Sequence, residues 1–211
     1  MDLYFSPLAC SMASRIALYE AGATARFIEV DPKTKRTLDG ADYFAVNPLG
    51  LVPTIRTDDG EVLTENAAIL QYIADRFPAA GLAPPNGMAR SRLQQWLCFI
   101  GTELHKALFV PLFDPKMPTE AKTRTLEIGD RRLAHLDAYL SGREFLLDRF
   151  SVADAYLATV LNWKIATPVD LEKWPVVASY YSRLKQRPSI ARALSEERVL
   201  YAEEVKRHNA A

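Results

Sequence analysis

The chain has 211 residues, 49% hydrophobic and 25% charged, enough to bury a core in one large domain or two small ones. Its 26 basic and 26 acidic side chains leave no formal net charge, so the basic footprint of a nucleic-acid-binding domain is missing. No apolar run approaches the ~18 uninterrupted residues of a membrane span. Asp2 and the short, interrupted apolar run after it predict no secretory leader.

Residues 2–5 form a short strand pattern, and Pro7 and Ala9 mark a bend. A helix is predicted over 11–21, because Met12, Ile16 and Tyr19 recur at helical spacing. Gly22 supplies its stop, since glycine tolerates the left-handed conformation that ends helices. Residues 27–30 read as a second strand, followed by a polar, lysine-rich stretch over 31–36. Two further strands, 52–56 and 61–64, flank Asp58-Asp59-Gly60, a hairpin signal. A helix with Ile69, Ile73 and Phe77 on one stripe follows. The order β-α-β, connection, β-β-α predicts a mixed sheet of about four strands flanked by helices.

PAAGLAPPNG, at 78–87, reads as an interdomain linker, and the chain beyond it is helical in pattern. Leu93, Leu97, Ile100 and Leu104 make one apolar stripe. The absence of proline between Pro118 and Pro168 leaves room for two long helices. Ser151 and Asp154 form a capping box that opens the second. Final helices are expected over 176–187 and beyond Pro188, with the polar tail 201–211 fraying.

The chemistry centres on Cys10. A thiol at a helix N-terminus meets the positive end of the helix dipole and unpaired N–H groups, which favour thiolate. A small buried hydrophobe is the competing reading for a lone cysteine. The second cysteine, Cys98, is far away, and neither it nor His105, His135 and His208 form a metal-ligand spacing, so no metal is expected. Pro53 opens a strand, where a cis Val52–Pro53 bond would turn the Val52 backbone outward for an extended peptide to pair with. An ordinary trans proline is the alternative. Glu65 and Asn66 stand at a strand–helix junction: Asn66 is a good N-cap, exposed N–H groups there suit a ligand carboxylate, and Glu65 suits an ammonium. Lys35 would pair with a second carboxylate or remain a solvated surface lysine. Cys98, Thr102 and His105, at i, i+4 and i+7, would share a helix face distinct from the Leu93 stripe. These features together describe a site for a small zwitterionic thiol peptide.

The segments SPLACSMAS, VNPLGLVPTI, DDGEVLTENAAILQYIAD, LAPP, ELHK and SVADAYL resemble, in one register over essentially the whole chain, the bacterial glutathione S-transferases of the beta class. The resemblance implies an α/β plus all-α fold. A thioredoxin-like glutathione-binding domain over 1–80 would be joined by a linker at 81–87 to an all-helical bundle over 88–211 that lines the electrophile pocket. It implies a cytoplasmic homodimer that binds glutathione between the domains as co-substrate, with no tightly bound cofactor. Its partners would be glutathione and a small hydrophobic electrophile, with no nucleic acid and no membrane.

The resemblance makes Pro53 cis and pairs Val52 through its backbone with the cysteinyl unit. It puts Glu65 and Asn66 on the γ-glutamyl end, Lys35 on the glycyl carboxylate, and Cys10 and His105 beside the sulfur. Ala9, Cys98, Thr102, Glu103 and Lys106 complete the implied glutathione site. Two residues depart from the family pattern: Cys98 stands where many members have Asn, and Asn66 where Ser or Gly is more usual. The implied reaction is conjugation of the glutathione thiol to hydrophobic electrophiles. Two alternatives are a glutaredoxin-like thiol–disulfide transferase working through a Cys10–glutathione mixed disulfide, and a non-catalytic carrier of hydrophobic ligands, with Phe109, Phe113 and Trp163 as lining or core.

Overall fold

A computed structural model describes residues 1–210, which divide into two compact units. The first runs from Met1 to Ala83 and takes back the segment from Pro188 onward; the second is Pro84–Arg187. The sequence placed the last helix with the helical domain, whereas its own contacts group it with the first unit. The physical reason is its buried face: Ile190, Ala193, Leu194 and Glu197 are covered, and it packs on the first helix of the chain.

In the first unit, strands β1 (Asp2–Phe5), β2 (Arg26–Glu29), β3 (Thr54–Arg56) and β4 (Val62–Thr64) form one sheet in the order β2-β1-β3-β4. β1 pairs parallel with β2, Leu3 opposite Phe27, and antiparallel with β3, Leu3 opposite Ile55. This is the mixed four-stranded sheet that the element order predicts. Leu3 and Ile55, at its centre, are fully buried. Helix α1 (Met12–Glu20) buries Met12, Ala13, Ile16 and Ala17. It stops at Gly22, whose φ of +61° is left-handed as expected. Helix α2 (Asn66–Arg76) buries Ile69, Leu70 and Ile73 and packs beside α1.

The second unit holds α3 (Gly87–Phe113), α4 (Thr119–Leu140), α5 (Val152–Asn162) and α6 (Pro175–Leu184). One long and one short helix thus occupy the proline-free stretch. α3 is long and apolar enough to cross a bilayer by length and composition, but its Leu93, Leu97, Ile100 and Leu104 stripe is buried inside the unit. α5 is buried along its whole length. Its N-terminus carries the expected capping box: Ser151 Oγ accepts from Ala153 N–H, and Asp154 accepts from Ser151 N–H at 2.8 Å. The last helix, α7, is Pro188–Ala210 and stays helical through the polar tail expected to fray, of which Ala211 lies outside the described residues. Two side chains anchor that tail: Arg207 pairs with Glu29, and His208 Nε2 lies 2.7 Å from Asp31 Oδ2, while Ser189 bonds Glu20 at the start of the helix.

Candidate functional site

Cys10 lies in the loop between β1 and α1, two residues before the first helical residue. Ser6 and Ser11 brace that loop: Ser6 N–H donates to Ser11 Oγ, which returns a bond to the Ser6 carbonyl, and Ser6 Oγ donates to the Val30 carbonyl at 2.6 Å. The loop closes onto the helix through Met12 N–H to the Ala9 carbonyl and Ala13 N–H to the Cys10 carbonyl. Cys10 is half-buried, and its Sγ donates to the Val52 carbonyl at 3.2 Å. It is therefore neither the deeply buried hydrophobe nor a freely solvated thiol.

The Val52–Pro53 peptide is cis. The loop before it is framed by two residues that sequence reasoning missed. Tyr43, fully buried, donates its hydroxyl to the Leu51 carbonyl at 2.8 Å, and Asn47 Nδ2 donates to the same carbonyl at 2.7 Å. Both are bulky or polar groups with no distinguishing neighbours in sequence; only the folded loop gives them one target.

Asn66 departs from its expected part. It is the first residue of α2, and the capping position is taken by Glu65, exposed and left-handed at φ +66°. The Asn66 side chain is buried and turned inward instead. Its Nδ2 donates to the Cys10 carbonyl at 3.0 Å, and its Oδ1 accepts from Ser14 Oγ at 3.0 Å. Asn66 thus ties α2 to the loop and start of α1, and what it leaves for a ligand is the N–H at the helix N-terminus. Lys35 is half-buried with φ +56°, its N–H on the Asp31 carbonyl and its carbonyl on Tyr43 N–H. Among the described residues its ammonium has no ion-pair partner. The first unit therefore brings Ala9, Cys10, Val52, Pro53 and Asn66 into one bonded cluster, with Lys35 tied to Tyr43 through its backbone.

The second unit carries the other expected residues, and there the helix geometry differs. Over Ile100–Phe109, α3 is a π-helix, as in the bond from Val110 N–H to the His105 carbonyl. Its wider turn closes on i→i+5 bonds, so residues three apart no longer stack. His105 accordingly leaves the face that α-helical spacing predicts it to share with Cys98 and Thr102. Cys98 and Thr102 are exposed, with Thr102 Oγ1 donating to the Cys98 carbonyl at 2.9 Å. Glu103 pairs with Arg132 at 2.8 Å, and Lys106 is exposed. His105 turns inward, with Nδ1 2.7 Å from the Tyr156 hydroxyl and its ring edge-on to Trp163. Burial, assisted by the charge on Lys106, lowers its pKa to about 4, so the imidazole is neutral at neutral pH. Phe109 and Phe113 also pack edge-on to Trp163, with Phe109 fully buried and Phe113 partly exposed.

Residues 9–76 match the family model described as glutathione S-transferase, N-terminal domain, and residues 102–188 match glutathione S-transferase, C-terminal domain. The chain belongs to the glutathione S-transferase family. Glutathione S-transferase GstA of Escherichia coli O157:H7 is 43% identical, over 93% of this chain and 98% of its own. A Sphingomonas chungbukensis beta-class glutathione S-transferase superposes with a TM-score of 0.89 at 44% identity, over 93% of this chain and 98% of that one. A sphingomonad glutathione S-transferase complexed with glutathione gives 0.89 at 45% identity, with the same coverage. The resemblance read from SPLACSMAS and VNPLGLVPTI thus extends to whole-chain identity and fold, and places this enzyme with the beta class.

Proposed function

We propose that this chain conjugates the thiol of glutathione to small hydrophobic electrophiles, with Cys10 beside the glutathione sulfur. The observation that carries the reading is the Cys10 Sγ–Val52 carbonyl bond of 3.2 Å. A glutathione paired as a strand with the Val52 backbone would take that carbonyl for its own N–H, release the Cys10 thiol, and bring its sulfur to the start of α1. The Asn66 N–H and Glu65 suit the γ-glutamyl end, and the unpaired Lys35 ammonium suits the glycyl carboxylate. The glutathione complex of the sphingomonad relative supports the choice of co-substrate.

In this reading the glutathione thiol loses its proton to solvent, the thiolate attacks the electrophilic atom, a C–S bond forms, and the leaving group departs with its electron pair. The protein's contribution is to lower a thiol pKa from ~8.5 toward neutrality, at ~1.4 kcal/mol per unit. His105 takes part as a neutral hydrogen-bonding group, with Ala9, Cys98, Thr102, Glu103 and Lys106 as further glutathione contacts. A cytoplasmic homodimer belongs to the same reading, its dimer part supported by the exposed apolar side chains of Phe44, Leu49 and Leu51.

The half-buried Cys10 thiol supports a second reading, thiol–disulfide exchange through a Cys10–glutathione mixed disulfide. Titrating the thiol of bound glutathione by its thiolate absorbance tests the first. A pKa well below that of free glutathione is expected, and an unshifted one overturns the conjugation mechanism.

A further inference from the structure

A carboxylate from near the end of the chain holds the loop that leads into Cys10. Leu8, two residues before Cys10, sits in the left-handed region at φ +58°, which a bulky aliphatic residue adopts only when its surroundings impose it. Its N–H donates to Glu197 Oε2 at 2.6 Å. Glu197, on α7, is fully buried. Its other oxygen lies 2.9 Å from Arg15 Nε, placed as an ion pair rather than an aligned hydrogen bond. Arg15 cannot swing away: only 4% exposed, its guanidinium lies 4.3 Å from the Phe5 ring centre and 4.1 Å from that of Phe27.

We propose that Glu197 is a positioning residue for Cys10, gripping the Leu8 N–H with an ionised carboxylate and loosening the Cys10 loop when it takes up a proton. A charge-assisted hydrogen bond is roughly twice as strong as a neutral one, so protonation weakens the grip without removing it. The charged groups acting on Glu197 are Arg15 on α1 and Glu196 on α7, and Glu196 in turn accepts from Tyr19 on α1. Burial pushes Glu196 up, but bonds from Tyr19 and Arg192 pull it below its ordinary value, so it stays charged. Burial and Glu196 raise Tyr19, so it stays neutral. Glu197 itself is raised to about 7 by burial, against the opposing pull of Arg15 and the Leu8 N–H. Within this cluster Glu197 is therefore the group that changes charge near neutrality, a change a pH–rate profile would otherwise lead one to assign to a histidine.

The relevance of this device to catalysis rests on the proposed part of Cys10, but its test is read on the loop itself. Amide NMR spectra of the full chain without glutathione, recorded between about pH 5.5 and 8.5, should show the Leu8 N–H shifting with a midpoint near 7, and the Cys10 N–H following it. In Glu197→Gln, neutral at every pH, the Leu8 shift should be lost. Cys10 alkylation, followed by peptide mass spectrometry to separate it from Cys98, should lose the matching step while keeping the titration of the thiol itself. A Leu8 N–H that does not move in the wild-type chain overturns the proposal, with no variant needed. So does one that moves identically in the variant. Absence of transferase turnover would overturn the proposed function and leave this result standing.

Discussion

The Cys10 thiol donates to the Val52 carbonyl, so the reactive-thiol candidate and the peptide-pairing edge are bonded to each other across 42 residues of sequence. Cys10→Ala separates the two readings of that pair. The substitution removes one neutral, partly exposed hydrogen bond, worth about 1 kcal/mol, so the protein should stay folded. Conjugation to a hydrophobic electrophile should fall by less than about tenfold, since backbone N–H groups at the helix start remain. Glutathione–disulfide exchange should fall to background, because the sulfur proposed to lie beside that of glutathione is gone. Parallel initial rates with an electrophile and a disulfide check this. Loss of both activities would make Cys10 the working nucleophile.

Asn66 is a brace before it is a ligand group. Asn66→Ala leaves the Cys10 carbonyl and the Ser14 hydroxyl without their partner, which should cost about 1–3 kcal/mol. Displacement of the Cys10 loop should also raise the KM for glutathione. Thermal unfolding and a glutathione saturation curve check the two effects, and a variant unchanged in both would show that the bonds carry no weight.

Local features were legible in the sequence. The Ser151–Asp154 box needs only four consecutive residues, the Leu93 stripe only helical periodicity, and the mixed sheet of four strands only the sequence of short runs and breakers. What escaped was set by distance or by backbone geometry. Asn66 looks like an N-cap from its type and place, yet its side chain is claimed by residues 52 and 56 positions away. Glu197 reads as one glutamate in a polar helix, and its partner Leu8 is 189 residues distant. The π-helix around His105 has no compositional mark, so α-helical spacing put His105 on a common face with Cys98 and Thr102, from which the wider turn removes it.

Asp154 carries more than a cap. Fully buried, it accepts from Leu146 N–H at 2.9 Å, from Ser151 N–H and hydroxyl, and from Tyr180 hydroxyl at 2.5 Å. Asp154→Ala strands these buried donors and should destabilise the protein by about 3 kcal/mol, roughly 6–12 °C in Tm for a chain of this size. Asp154→Asn keeps one acceptor and should lose less. Calorimetry of both variants checks the order, and equal losses would mean that helix capping alone sets the cost.

Gly129, in α4, permits a close approach to α3. A Cβ there would sit 2.3 Å from Leu108 Cδ1 and 3.1 Å from its Cγ. Leu108 is 1% exposed and has no solvent to swing into. Gly129→Ala gains about 1 kcal/mol of helix propensity but incurs overpacking of about 1–3 kcal/mol. Tm should therefore fall modestly, and a rise would show that Leu108 has room to repack.

His105 should titrate far below neutrality. Burial lowers it to about 4, whereas the unfolded chain binds its proton near 6.5. Between those values the unfolded state holds more protons, so stability rises with pH. The contribution is fully present above about pH 6.5 and lost as pH falls through about 4. The imidazole Hε1 resonance should show a midpoint near 4, and transferase activity above about pH 5.5 should carry no His105 inflection. Tyr156→Phe removes the partner 2.7 Å from Nδ1, which should cost about 1 kcal/mol and shift the ring's tautomer balance in its 15N resonances. A His105 midpoint near 6.5 in the wild-type protein would mean that the ring is solvated and able to act as a charged group beside a thiolate. In that case an inflection near neutral pH would belong to His105 rather than to Glu197.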